Sequence, residues 1–318
     1  MKIIFTFPGQ GGQRPAMLAA IPDREAILTQ ARAVLGDEVD TLDSADALKH
    51  TRAVQLCLLI AGVAWARELQ RQGVDPQMVS GLSIGAFPAA VIAGALDFAS
   101  ALRLVALRGD LMEQAYPEGY GLTAIMGLTR PRVEALMQGH EVYLANLNAE
   151  TQIVIAGRDD AMAEVAQLAL QAGASKAQRL AVSVPSHCAL LDKPAAALAK
   201  AFADVTLTRP QRAYLSGSTA RVLWDPQRIA DDLAMNMART VHWQEAMIAA
   251  DERDARLAIE MPPGGVLTCL TRQAGTARPA PAAAPPCGPR QAGWRGETIS
   301  LERSGVDVAR HLAQRLSD

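Results

Sequence analysis

The sequence lacks a basic excess: 31 Lys and Arg stand against 33 Asp and Glu, a formal charge of -2, which argues against a nucleic-acid partner. It lacks an apolar stretch of membrane-spanning length free of charges and turn residues. Its opening, MKIIFTFPGQ, breaks at Pro8 after too short an apolar run for a signal peptide, so a cytoplasmic protein with no membrane partner is expected. The four cysteines (Cys57, Cys188, Cys269, Cys287) include no C-x-x-C and no Cys/His set at zinc-ligand spacing. Neither a metal nor a disulfide is expected. There is no internal repeat and no block of like charge. What the chain does have is apolar residues, half of the total, and 318 residues in all. That is enough for a sizeable core and more than the usual single domain, which suggests a large domain with a smaller one inserted.

Residues 2–7 read as a short apolar strand that ends in the breaker-rich loop Pro8-Gly9-Gln10-Gly11-Gly12-Gln13. Long Ala/Leu/Val runs at 44–72 predict one or two buried helices. A second short strand, 78–82, is followed at once by Gly85 and a helix-like run, 86–96, with another helix at 98–116. The texture then changes. Residues 121–185 alternate as strand (122–127), helix (131–138), strand (141–146), strand (152–156), helix (159–172) and strand (178–183). That βαββαβ order is the ferredoxin-like arrangement. Helices at 189–202, 228–237 and 243–250 and a strand at 256–261 complete the body. Residues 275–298, dense in Ala, Pro, Gly and Arg at their core, lack apolar periodicity and read as a flexible segment. Val308, Leu312 and Leu316 stand at helical spacing, so the tail is expected to dock as a last helix.

Gly81-Leu82-Ser83-Ile84-Gly85 is a G-x-S-x-G pattern between a short strand and a helix, where a nucleophile elbow belongs. The competing reading is an ordinary βα turn with a capping serine. Pro88, five positions on, cannot donate a helical hydrogen bond to Ile84, so the helix is expected to start late or lose a bond. Of five histidines, His187 in Val184-Pro185-Ser186-His187-Cys188 is the best base, because that loop has no obvious structural task. Cys188 is a poor nucleophile candidate, since adjacent residues rarely present side chains to one another. The Pro8–Gln13 loop lacks the G-K-[ST] and G-x-G-x-x-G nucleotide signatures but suits main-chain oxyanion donation. Arg108, inside an otherwise apolar helix, either snorkels to water or reaches into a cleft to hold a carboxylate; residues alone favour snorkelling.

Together, in this order, these pieces resemble the malonyl-CoA:acyl-carrier-protein transacylase family over nearly the whole chain to about Gln273. The resemblance rests on F-P-G-Q-G-x-Q, G-x-S-x-G, L-R-G with Arg108 twenty-five positions after Ser83, the run Val182-Ser183-Val184-Pro185-Ser186-His187-Cys188-Ala189-Leu190, Asn236 to Trp243 ending Val-x-Trp, and Glu260-x-x-Pro-Gly before Val266-Leu267-Thr268. Within the family it is most similar to the epsilon subunit of malonate decarboxylase, through GLSIGAFPAAVIAGALDF and EMPPGGVLT. The housekeeping fatty-acid enzyme usually has His at Leu82, Glu at Ala86, Ser at Gly12 and Gly at Pro262.

The resemblance implies an α/β fold: an α/β-hydrolase-like core domain at 1–118 and 186–318, with an inserted ferredoxin-like small domain at 119–185. It implies Ser83 as nucleophile, His187 as base, and a main-chain carbonyl at Asn236 orienting the histidine. Gln10 and Ile84 become the oxyanion N–H donors, Arg108 the clamp on malonyl's free carboxylate, and Gln55 a pocket-lining residue. The partners implied are malonyl-CoA, an acyl carrier protein subunit and other malonate decarboxylase subunits. Coenzyme A is expected only as the substrate thioester, with no bound cofactor. The rivals are the housekeeping transacylase, a serine thioesterase or esterase, and a non-catalytic subunit that docks the carrier.

Overall fold

The computed structural model describes residues 1–116, 118–274 and 293–317. β1 (Lys2–Phe7) leads through α1 (Arg24–Leu35) and the long α2 (Thr51–Arg71) to β2 (Met78–Gly81), then to α3 (Ala86–Ala93) and α4 (Phe98–Ala115). β1 pairs with β2 in parallel. Its side chains alternate between faces: Ile3, Phe5 and Phe7 enter one core, Ile4 another. A strand covered on both sides reads as a continuous apolar run for this reason.

The chain then leaves the large sheet to build a second one from β3 (Tyr120–Met126), α5 (Arg130–Met137), β4 (Val142–Ala149), β5 (Gln152–Arg158), α6 (Asp159–Gln171) and β6 (Lys176–Arg179). Its strand order is β4-β5-β3-β6 and every pairing is antiparallel, which is ferredoxin-like topology. α5 and α6 close over one face, with Val133, Met162 and Val165 against Ile125, Ile153 and Ile155. The last strand stops at Arg179, short of the expected 178–183. The Arg179 guanidinium donates to the carbonyl of Val182 at 2.8 Å and to that of Tyr120 on β3 at 2.8 Å, holding the following residues in a loop after a last main-chain bond from Leu180 to Leu122 at 2.9 Å.

The return path is α7 (Asp192–Ala201), β7 (Ala213–Leu215), β8 (Val222–Leu223), α8 (Pro226–Met235), α9 (Trp243–Glu252), β9 (Ala255–Glu260), α10 (Val266–Gln273), β10 (Glu297–Ser300) and α11 (Leu301–Ser317, kinked at Gly305). The large sheet runs β10-β9-β1-β2-β7-β8, parallel except for β8. An α/β core with an inserted ferredoxin-like unit is therefore the architecture.

Three details differ from expectation. The expected flexible segment 275–298 overruns a real strand: Glu297 and Thr298 open β10, registered on Leu257 and Ala258. Residues 275–292 of that segment, Cys287 among them, lie outside the described residues. In the tail helix the inward residues are Ala309 and Ala313, flanked by Leu312 and Leu316, while Val308 is 43% exposed. Pro88 costs nothing, because Ser83–Gly85 form a separate 3-10 turn and α3 starts at Ala86. Pro88 thus falls in the first helical turn, where an N–H has no intrahelical acceptor.

Candidate active site

β2 ends at Gly81 and the chain turns so sharply that Ser83 takes φ 57, in the left-handed region. The two flanking glycines are what permit it. A Cβ on Gly81 would lie 2.0 Å from the Gly85 carbonyl, and one on Gly85 would lie 2.1 Å from the Phe7 oxygen. No side chain fits either place, so strand, elbow and helix close on one another only with glycine at both positions. The turn lifts a half-buried Ser83 above the C-terminal end of β2, beside the loop that follows β1. The Leu82 N–H donates to the Phe7 carbonyl at 3.0 Å, tying that loop to the elbow.

His187 reaches this serine from 104 positions away. Its Nε2 lies 2.9 Å from Ser83 Oγ, and its Nδ1 lies 2.8 Å from the Asn236 carbonyl and 3.3 Å from that of Arg239. Carbonyls only accept, so Nδ1 carries the proton and Nε2 accepts from the Ser83 hydroxyl. The loop is fixed by the His187 N–H donating to the Met237 carbonyl at 2.6 Å, and His187 itself takes φ 66. Two residues in costly backbone conformations face each other, the pattern of strain held at a working site. Burial, reinforced by the nearby Arg108 charge, pulls the His187 pKa down to about 4. The imidazole is therefore neutral and able to accept a proton throughout the physiological range.

Arg108 does not snorkel. It is 0% exposed, on the inner face of α4, with the Phe87 ring 5.9 Å from its guanidinium carbon. Its Nη2 donates to Ser83 Oγ at 3.2 Å and to Asn236 Oδ1 at 3.0 Å, while Nε and Nη1 are buried without a partner. Burial pulls its pKa down to about 9, which still leaves it charged at neutral pH. Gly109, next along, lets α4 pack on α2: a Cβ there would lie 2.4 Å from Arg52 Cα. The L-R-G run thus couples a buried cation to the close helix contact that buries it.

Asn236, whose carbonyl was expected to orient the histidine, does more. Its Nδ2 donates to the Ser83 carbonyl at 3.2 Å while its Oδ1 holds Arg108, so one amide links nucleophile and cation. Sequence reasoning named only the main-chain role. Gln55 is also fully buried, with Nε2 3.3 Å from Met112 Sδ and 3.4 Å from Gln10 Oε1, and its Oε1 has no partner. Gln10 is half-buried in the loop beside the elbow, and Ile84 directly follows Ser83. Cys188 points away from this chemistry: its thiol donates to the Pro185 carbonyl at 3.3 Å and burial pushes its pKa up to about 11.

Volume alone does not locate the site. A cavity of about 530 Å³ lies elsewhere, lined by Glu38, His50, Arg52, Asp110 and Glu113 among others. There Arg52 is held by Glu38 and Asp110, and His50 by Glu113. Its charged groups satisfy each other, whereas those around Ser83 do not.

The acyl transferase domain family matches residues 4–286, so the class is settled as an acyltransferase. The malonyl CoA-acyl carrier protein transacylase of Escherichia coli K12 is 36% identical over 86% of this chain and 92% of its own length. That of Bacillus subtilis 168 is 32% identical over 86% and 90%. Among solved structures, the transacylase of Coxiella burnetii superposes with a TM-score of 0.87 at 29% identity, covering 100% of this chain and 98% of the other. A malonyl-transacylase solved with its holo type II PKS acyl-carrier protein gives 0.80 at 35% identity, over 86% and 93%. The chain belongs to the malonyl-CoA:acyl-carrier-protein transacylase family.

The histidine's environment sets an expected pH profile. Protonation removes the base, so acylation fails only as pH falls through the folded-state pKa, lowered from 6.5 to about 4. Single-turnover acylation should be level between about pH 5 and 8, with an acid limb centred near 4. A limb centred near 6.5 would mean that the imidazole is hydrated and not held as described.

Proposed function

We propose that this enzyme takes malonyl from malonyl-CoA onto Ser83 and passes it to the prosthetic-group thiol of an acyl carrier protein. One observation carries the choice of acyl group. Among the described residues, a fully buried guanidinium, 3.2 Å from Ser83 Oγ, keeps two nitrogens without partners and has no carboxylate paired with it. An uncompensated buried charge is costly, and an acyl group ending in a carboxylate supplies the missing anion in a two-pronged geometry. A simple esterase has no use for such a cation.

The steps follow from the contacts. As Ser83 Oγ attacks the thioester carbonyl, its proton passes to His187 Nε2, and the Asn236 carbonyl stabilises the imidazolium through Nδ1–H. The oxyanion is met by the N–H groups of Gln10 and Ile84, each worth on the order of 3 kcal/mol. Coenzyme A leaves as the thiol, taking the proton from His187. The carrier thiol then gives its proton to His187 and attacks the malonyl-serine ester, and the departing Ser83 oxygen takes that proton back from His187 Nε2, restoring the resting pair. Thioester, ester and thioester are close in energy, so neither nucleotide nor metal is required.

Within this chemistry we favour the epsilon-subunit role in malonate decarboxylase, where the acceptor is a dephospho-coenzyme-A-type thiol on the carrier subunit. Supporting it are the four departures from the housekeeping pattern. Ala86 is 4% exposed at the start of α3, so the usual glutamate there would bring a carboxylate into apolar surroundings. Gly12 lies against the residue that follows the departing Pro262: a Cβ on Gly12 would lie 3.2 Å from the Pro263 oxygen, so the serine usual at Gly12 would crowd this turn. The two roles separate when purified enzyme, charged with malonyl-CoA, is offered carrier protein bearing either a dephospho-coenzyme-A-type arm or 4′-phosphopantetheine. Faster transfer to the former is expected. Preference for the latter would return the chain to the housekeeping role.

A further inference from the structure

The far end of the large sheet carries a feature with no part in acyl transfer. Trp224, directly after the two-residue edge strand β8, is 40% exposed. The Arg209 guanidinium carbon lies 5.7 Å from its ring centroid. Two grooves share this indole as a wall. One, of about 330 Å³, is lined by Arg209 and Arg228; the other, of about 470 Å³, by Lys2 and Arg253. Among the described residues the one carboxylate in either lining is Asp225, which accepts from the Arg228 N–H at 2.8 Å as the cap of α8. Among the described residues, none of these four cations has an ion-pair partner, although the neighbouring Arg212 is held by Asp75 at 2.7 Å.

Four like charges gathered around an exposed indole repel one another and leave apolar area in water. Trp and Arg are also the residue types that dominate the energetics of protein interfaces. We propose that this face docks an acidic segment of a partner protein, with Trp224 as the apolar anchor and the four cations pairing its carboxylates. Charge complementarity sets the sign of the occupant. Its extent comes from the two grooves, which share Val222 and Trp224 in their linings and each bring two of the cations to the indole.

The partner so held is not the acyl acceptor. Lys2, Met78 and Ala213 of the second groove stand at the N-terminal ends of the parallel strands, whereas Ser83 follows the C-terminal end of β2. Docking leaves the Ser83 cleft open, as suits a surface that holds the enzyme within an assembly while it works.

The test uses the full chain and a short fluorescein-labelled Glu-rich peptide with one central leucine, followed by anisotropy. Wild type should bind at low salt and release on raising it. Trp224→Ala and the pair Arg209→Glu/Arg253→Glu should each weaken binding by about tenfold or more, and Lys200→Glu, on α7, should leave it unchanged. Normal acylation by malonyl-CoA in every variant certifies that each is folded. No binding by wild type, or equal binding by Trp224→Ala, would overturn the proposal. So would displacement of the peptide by an equal concentration of AMP or inorganic phosphate, which would make this a small-anion site.

Discussion

Replacing His187 with alanine is expected to lower acylation by malonyl-CoA by a factor of about ten thousand or more, with little change in malonyl-CoA affinity. The size follows from the site. Among the described residues the one base in contact with Ser83 Oγ is this imidazole, at 2.9 Å, and the serine hydroxyl also accepts from Arg108 Nη2 at 3.2 Å. A neighbouring cation stabilises a serine alkoxide but cannot remove the proton. The loss should therefore appear in kcat rather than KM, measured by quenched single turnovers. His187→Asn offers a donor but no base, and should be no faster than the alanine variant. A loss of tenfold or less in either would mean that another group takes the proton.

Arg108→Ala should separate substrates rather than silence the enzyme. Malonyl transfer is expected to fall by about a hundredfold or more, corresponding to on the order of 3 kcal/mol for a desolvated two-pronged ion pair. Acetyl transfer, which never used the guanidinium's free nitrogens, should change by only a few fold. The comparison is made on kcat/KM for the two thioesters with the same carrier. Arg108→Met adds a second readout. Replacing even a paired buried charge by apolar side chains is often neutral or stabilising by about 1–4 kcal/mol, so without a counter-ion to lose, the melting temperature should hold or rise as malonyl selectivity is lost. Equal losses for both acyl groups, or a fall in melting temperature together with unchanged selectivity, would remove the carboxylate clamp.

What could be read beforehand was short in range. Strand, glycine-flanked serine and helix lie within a few residues of each other around Ser83, so the elbow is written in consecutive letters. The small domain was legible for the same reason: its strands and helices alternate with clear changes of period. Arg108 was not, because snorkelling and clamping look alike within one helix; what buries it comes from Phe87, twenty-one positions before it, and Asn236, one hundred and twenty-eight after. The side-chain role of Asn236 left no local signal at all. α1 is likewise hard to read, since only Ile27, Leu28 and Ala31 of its twelve residues are buried. β7, β8 and β10 have two to four residues each and exist only through their neighbours in the sheet. Family resemblance supplied the roles that residue patterns could not, and the His187–Ser83–Arg108 convergence is the geometry those roles require.

The most direct measurement is the mass of the enzyme quenched after brief exposure to malonyl-CoA, followed by digestion and mapping of the adduct. One malonyl group on the peptide containing Ser83, discharged on adding holo carrier protein and absent from Ser83→Ala, is the expected result. An adduct on another residue, an undiminished adduct on Ser83→Ala, or no adduct on wild type would contradict it.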